Sequence, residues 1–357
     1  MKKKLIAIAV AAALAPAAAM ADATVYGRVH ASLDSVSGIA ANKNNLALNS
    51  NSSRFGVKGS TDLDGGLKAM FQLESGVNSA GGTVPDGNGG AGGTGPVFSN
   101  ARDMYVGLSG GFGSVTAGRQ GGANQWVYDS NLFADQLGDA GNFTGDKVGL
   151  SGRLDQVLIY QTPEMSGFKA GLTFIPASSL DAGTTTGRNS TGIKLDYGNA
   201  GIGGHFAYFK VGTTTAAVDT DNKNTSVAGS YDFGNGMVTA QYVKSTTDVG
   251  TASTSRNVYN IGGKFDVSSN SAVKAQYSKA GSSTGSTTNG AGMLAVGFDY
   301  NLAKNVDMYV VYAATSNDAA GTYTVDNWGH GGKAGGLAAV GGGEDPKGFG
   351  IGLTYNF

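Results

Sequence analysis

Few residues in this 357-residue chain offer conventional catalytic chemistry. His30, His205 and His330 are far apart in sequence, cysteine is absent, and no Ser/His/Asp grouping is visible, so neither a shared metal nor a nucleophilic triad is expected. The runs GNGGAGGTG and GHGGKAGG have glycine spacings that mimic phosphate loops, but neither leads into a helix, and each reads as a flexible connection. What remains is fixed charge. Asp129, Asp135, Asp139 and Asp146 lie between Gly121 and Gln156, in company with Trp126, Tyr128, Leu132 and Phe133. Arg54, Lys58 and Arg102 fall on one parity of alternating segments, Arg28 and Lys68 do the same, and Arg119 and Arg153 flank the acidic stretch. Set opposite one another across water, an acidic loop and a basic wall would impose a transverse field that orders water and favours small polar solutes over apolar ones. The same residues could also be ordinary solvated charge, and the choice depends on the elements that carry them.

Those elements are strands. The chain closes on GFGIGLTYNF, which puts Phe349, Ile351, Leu353, Tyr355 and Phe357 on one face and Gly348, Gly350, Gly352, Thr354 and Asn356 on the other, because successive side chains of a strand point to opposite sides. TVYGRVHASLD sets Val25, Val29 and Leu33 against Tyr26, Arg28, His30, Ser32 and Asp34. RFGVKGS and LKAMFQLE repeat the pattern across the short turn at Asp62 to Gly66, which predicts a hairpin. Continued along the chain, the reading gives about sixteen strands.

The connections alternate in length. Tight turns rich in Asp, Asn and Gly take turns with longer stretches at 39–51, 78–98, 121–156, 177–188, 213–224, 246–254, 281–289 and 317–346. One tight rim and one looped rim, with roughly ten-residue spans, is the arrangement of an outer-membrane barrel. Aromatics near strand ends (Phe55, Tyr105, Tyr160, Tyr197, Tyr231, Phe265, Tyr300 and Tyr355) read as interfacial girdles. The opposite faces carry Arg, Lys, Glu, Gln and Asp in strand interiors, where a packed core would impose a heavy desolvation cost. In a bilayer every backbone N–H and C=O must be paired, which forces closure, and at sixteen strands the closed sheet is too wide for side chains to fill. The expected fold is an all-β, sixteen-stranded antiparallel transmembrane β-barrel with short periplasmic turns, long external loops and a water-filled centre.

Composition supports export to such a place. MKKKLIAIAVAAALAPAAAMA has the basic start, short apolar run and small-residue end of a cleaved signal, so residues 1–21 are expected to be removed and 22–357 to form the barrel domain. Without Lys2, Lys3 and Lys4 the 25 basic residues become 22 against 26 acidic ones, a balance that argues against nucleic acid as a partner. A disulfide-stapled fold is excluded by the missing cysteines. Sixty glycines without a period of three exclude collagen, and ordered alternation of Tyr, Phe, Val and Leu argues against disorder.

The segments TVYGRVHASLD, SRFGVKGSTDLDGGLKAMFQLE, YVGLSGGFGSVTAGRQ, YQTPEMSGFKAG and the terminal GLTYNF, in that order over essentially the whole mature chain, resemble the Gram-negative general porins. The resemblance implies a sixteen-stranded barrel in outer-membrane lipid, a homotrimer, passive diffusion of small hydrophilic solutes and ions without a cofactor, and a third external loop folded into the lumen. It places residues 121–156 as that loop, which makes Arg54, Lys58, Arg102, Arg119, Asp129, Asp135, Asp139 and Arg153 the expected constriction residues. The chain departs from the family twice: DSNLFADQLGD stands where a Pro-Glu-Phe-Gly-Gly-type sequence is frequent, and Ile159 occupies a lumen position that is often basic. The expected function is a general diffusion channel. A substrate-selective channel, with NQWVYDSNLF supplying a sugar or anion site, is the alternative, followed by a soluble surface β-protein, with an enzyme last.

Overall fold

The computed structural model describes residues 22–40, 46–80, 97–121, 130–144, 152–328, 330 and 340–357. Its strands are β1 (Thr24–Ser37), β2 (Leu46–Ser50), β3 (Arg54–Asp62), β4 (Lys68–Val77), β5 (Val97–Gly110), β6 (Gly113–Gln120), β7 (Leu154–Gln161), β8 (Phe168–Ile175) and β9 (Thr185–Asn199). They continue as β10 (Ile202–Thr215), β11 (Val218–Asp232), β12 (Gly236–Val249), β13 (Ala252–Ser268), β14 (Ser271–Ala280), β15 (Ala291–Ala303), β16 (Val306–Asn317) and β17 (Lys347–Asn356). Each is antiparallel to its neighbours. The sheet closes where β17 pairs with β1 from Arg28↔Asn356 to Ser37↔Lys347, and Gly27 and Phe357 exchange backbone hydrogen bonds of 2.9 and 3.0 Å.

The labels exceed the expected number of strands by one because β2 and β3 are two halves of a single stave. Both pair with β1, at Ala31↔Ser50 and Arg28↔Arg54. Between them Ser52 takes φ 47°, and the break is stitched to β1 by Asn51 N–H donating to the His30 carbonyl and His30 N–H donating to Ser53 Oγ, both 2.9 Å. Counted as staves, the barrel has the sixteen that alternation predicts.

Side-chain direction follows the period of two. On β17 Phe349, Ile351, Leu353 and Tyr355 stand exposed on the outer surface, 43–52 % accessible. On β14 Val273 and Tyr277 point out while Lys274, Gln276 and Ser278 are buried inward. Apolar groups outside and polar groups inside invert the order of a soluble core, and the outer surface is the one that lipid solvates. No described helix is long and apolar enough to cross a membrane.

Two expectations need correction. Residues 213–224 and 246–254 are not loops: β10 and β11 run to a turn at Ala216 and Ala217 (φ 51° and 63°), and β12 and β13 to one at Gly250. These strands, 14–17 residues long, exceed the roughly ten needed to span and continue beyond the bilayer. Their polar composition hid them, because outside the membrane both faces are wet and cross-strand charges replace apolar contacts: Lys210 with Asp221 at 2.7 Å and Lys223 with Asp248 at 2.6 Å. Tyr105 is no girdle residue, since it pairs with Gln72 on the inner face and its hydroxyl donates to Gln72 Oε1 at 3.2 Å. The inner wall is also not uniformly polar: Val157, Ile159, Ile175 and Phe209 point inward and are buried.

Candidate constriction site

Residues 130–144 turn into the barrel, and their own side chains make the turn. The Asp139 carboxylate accepts from the backbone N–H of Asp135 (2.8 Å) and Gly141 (2.6 Å) and from Asn131 Nδ2 (2.6 Å). Asn131 Oδ1 accepts in turn from the N–H of Phe133 and Ala140. The polypeptide is thereby wound around one carboxylate, with Asp135 and Gly138 in the left-handed region (φ 62° and 81°). Gly138 is required there, because a Cβ would sit 2.4 Å from that of Ala295 on the wall.

The wound segment is fixed to the inner faces of β12 to β15. Ser130 Oγ donates to Gln241 Oε1, and the Ser130 carbonyl accepts from Thr239 Oγ1 and Asn260 Nδ2. Gln276 accepts from Leu132 N–H at 2.9 Å and donates to the Gly138 carbonyl at 3.3 Å. Lys274 Nζ donates to Gln136 at 3.0 Å, pairs with Asp299 at 3.0 Å and lies 4.6 Å above the Phe133 ring. From above, residues of the last connection close over it: Gly138 N–H donates to the Val325 carbonyl, Trp328 N–H to Asn142 Oδ1, and Phe143 stacks on Tyr323 at 4.5 Å. Phe133, Leu137 and Phe143 are completely buried in this sandwich.

Across the lumen stands a basic arc. Arg28 of β1, Arg54 and Lys58 of β3, Arg102 of β5 and Arg153 just before β7 line one recess of about 470 Å³ with Glu74 and Asp103. Glu74 accepts from Arg102 Nε at 2.5 Å and from the Tyr26 hydroxyl at 3.0 Å, with Arg54 Nε at 3.9 Å. Asp103 holds Arg153 through both carboxylate oxygens, at 2.9 and 3.1 Å. Lys58 lies 5.0 Å over the Tyr26 ring.

The structure therefore gathers Arg54, Lys58, Arg102 and Arg153, and it adds Arg28, Glu74 and Asp103 to them. Glu74 and Asp103 are the partners that sequence inspection passed over, although Glu74 shares the inward parity of Gln72 in LKAMFQLE. The expected acidic face is not built by the described loop aspartates. Asp135 is neutralised by Arg28, whose Nη1 lies 2.9 Å from its Oδ2. Asp139 is fully buried within the turn it organises, and burial, with the charge of Asp135 added, pushes its pKa up to about 8. Asp129 lies outside the described residues, with Trp126, Tyr128 and Asp146. Arg119 is displaced from the arc altogether: it pairs with Met104, on the outward parity of Val106 and Leu108, and its guanidinium donates to the Ala101 carbonyl and Asp155. A register shift beside Gly118 (φ 152°) sits at this point of β6. Lys68 is spent at the turn rim on Asp62, 2.9 Å away. Among the described residues, five cations of the arc face the three carboxylates Glu74, Asp103 and Asp135, an excess of two positive charges.

A family profile described as Gram-negative porin matches residues 7–320. The chain belongs to this family. Relatives of the porin include the major outer membrane protein P.IB of Neisseria gonorrhoeae, 29% identical over 247 residues, which are 64% of this chain and 63% of that protein. The chain thus spans just under two thirds of that relative's length. Outer membrane porin protein 32 of Delftia acidovorans is 30% identical over 264 residues, covering 70% of this chain and 72% of its own. Among solved structures, an anion-selective porin from Comamonas acidovorans superposes with a TM-score of 0.80 over 95% of this chain and all of its own, at 24% identity. The trimer form of Vibrio cholerae OmpT superposes with a TM-score of 0.68 at 16% identity, over 94% and 99% of the two chains. At these identities the likeness speaks for the barrel alone. With its relatives, this porin is a protein of the outer membrane.

Proposed function

We propose that this porin is a general diffusion channel, a water-filled passage through which small hydrophilic solutes and ions cross the outer membrane passively, and that its constriction favours anions. The observation that carries the reading is the arc of Arg28, Arg54, Lys58, Arg102 and Arg153 facing an inward segment whose described aspartates are paired or buried. In a narrow water column between low-dielectric walls, an excess of two positive charges among the described residues raises the local anion concentration and leaves neutral solutes to size alone. The constriction in this reading comprises Arg54, Lys58, Arg102, Arg153 and Asp135, with Arg28 added. The name of the Comamonas structure, an anion-selective porin, and the trimer form of the Vibrio structure agree with anion preference and a homotrimer here.

The test is stepwise conductance in planar bilayers under a salt gradient. An ohmic channel whose reversal potential lies on the anion side, with weak discrimination among small sugars, is expected. A cation-side potential overturns the preference. Saturable block by one solute class favours the substrate-selective channel, and a purified protein that never conducts removes the channel reading.

A further inference from the structure

We propose that the outer surface of β12 to β14 holds a phosphorylated, acylated lipid of the external leaflet, through two lysines that bracket a tyrosine pair at the head of an apolar groove. Parity places the four side chains on the lipid side. Lys244 follows Val238, Ala240 and Tyr242 on the exposed register of β12, and Lys279 follows Val273 and Tyr277 on that of β14. Tyr259 stands between them on β13, in register with Tyr242 on one side and Lys279 on the other, while Lys244 is opposite Asn257. The two ammonium groups therefore start from backbone positions two strands and two residues apart, about 12 Å from strand spacing and rise.

Each component suits one part of such a lipid. Below the lysines, a groove of about 640 Å³ runs over the outer face, floored by Gly229 and Ala240 and walled by Tyr242, Tyr259, Ile261 and Tyr277. Gly229 and Ala240 face each other across β11 and β12, so two adjacent staves lack bulk at one level, and the depression is wide enough for hydrocarbon chains. The tyrosine rings lie 5.2 Å apart, tilted, and the Tyr242 hydroxyl donates to Asn257 Oδ1 at 3.0 Å, which fixes the pair at the level where an aromatic belt meets headgroups. Higher on the same face the cations are already matched: Lys210 by Asp221, Lys223 by Asp248, Arg188 by Asp221. Lys244 and Lys279 have no carboxylate partner among the described residues, and both lie towards the looped rim, which is the external one in such barrels. Unmatched cations directly above a hydrocarbon-shaped groove complement a phosphate headgroup with its acyl chains attached.

The test uses the full protein in detergent, mixed with phosphatidylglycerol or with phosphatidylcholine of identical acyl chains, and native mass spectrometry to count retained lipid. Phosphatidylglycerol adducts are expected to survive where phosphatidylcholine adducts do not. The Lys244→Gln/Lys279→Gln double variant should retain phosphatidylglycerol about 30-fold less, since each basic residue at a lipid surface contributes a factor of about five. Lys347→Gln, which removes an outward lysine on β17, should change nothing. Gly229→Leu, which fills the groove floor without touching charge, should also lose the adduct, with heat-modifiable migration reporting an intact barrel. Equal retention of the two lipids, or undiminished retention by the double variant, overturns the proposal. So does a groove variant whose only effect is to change the number of chains in the complex, which would make this face a contact between copies.

Discussion

Arg28 and Asp135 meet at 2.9 Å, so the inward segment that is anchored to β12–β15 also touches β1, where the basic arc begins. The contact both positions the tip and silences one of its charges. Removing either partner therefore changes the sign balance in opposite directions. Asp135→Asn should leave Arg28 uncompensated and move the reversal potential further to the anion side, while Arg28→Gln should move it towards cations. Identical potentials in the two variants would exclude this pair from the filter.

Arg102 and Glu74 are both about 5 % exposed and share a 2.5 Å contact. Arg102→Ala should shift selectivity towards cations, because it deletes one charge of the arc and leaves the Glu74 carboxylate to Arg54 and Tyr26 alone. It should also destabilise the barrel by about 1–3 kcal/mol, the cost of stranding a buried charged acceptor. Glu74→Gln should shift selectivity the other way, and the double variant, which removes one charge of each sign, should return close to the wild-type reversal potential. A double variant that keeps the full shift of either single variant would show that the other side chain does not act on the filter.

Asp139 gives the inward segment a pH dependence. Burial followed by the charge of Asp135 raises its pKa to about 8, above the 3.8 of a free carboxyl, so the neutral form is the one the fold prefers. Its stabilisation is complete below the unfolded value and is lost as pH rises through about 8. Amide exchange in residues 130–144, corrected for intrinsic rates, should show weaker protection at pH about 9 than at about 6. Asp139→Asn should flatten that difference. A wild-type segment equally protected at both would refute the assignment.

His330 adds a second latch. Its Nε2 lies 3.1 Å from Asp34 Oδ2, tying the last connection to β1. Burial alone would lower the imidazole pKa, but the hydrogen bond and charge of Asp34, joined by Asp326 and Asp139, raise it above 6.5. The charged pair is therefore fully formed below that value and is lost as pH rises through the elevated one. Open-channel current should grow noisier on the alkaline side in wild type, and His330→Gln should be noisy throughout. Noise that is independent of pH in both would dismiss the latch.

Much of the barrel was written in local order. Alternation at 349–357 and 24–34 placed outer and inner faces correctly, because a period of two is a property of the strand itself and the bilayer demands that one parity be apolar. The same rule put Arg54 and Lys58 inside, whereas Arg102, on the parity of the outward Met104 and Val106, is turned inward by the register shift between Leu73 and Ser75. Above the membrane the rule lapses, since neither face is constrained, and the strands through 213–224 and 246–254 looked like loops.

What the chain alone determined was which parity meets lipid and which residues carry charge, since both follow from side-chain chemistry taken two residues at a time. Only the tertiary structure decided which charges meet. The fold of residues 130–144 hides Asp139 at the centre of a turn and delivers Asp135 to Arg28 on β1, and the register shift between Leu73 and Ser75 brings Arg102 to the inner face. Those outcomes depend on where a closed ring of staves brings residues 107 positions apart into contact, and no local pattern encodes that distance.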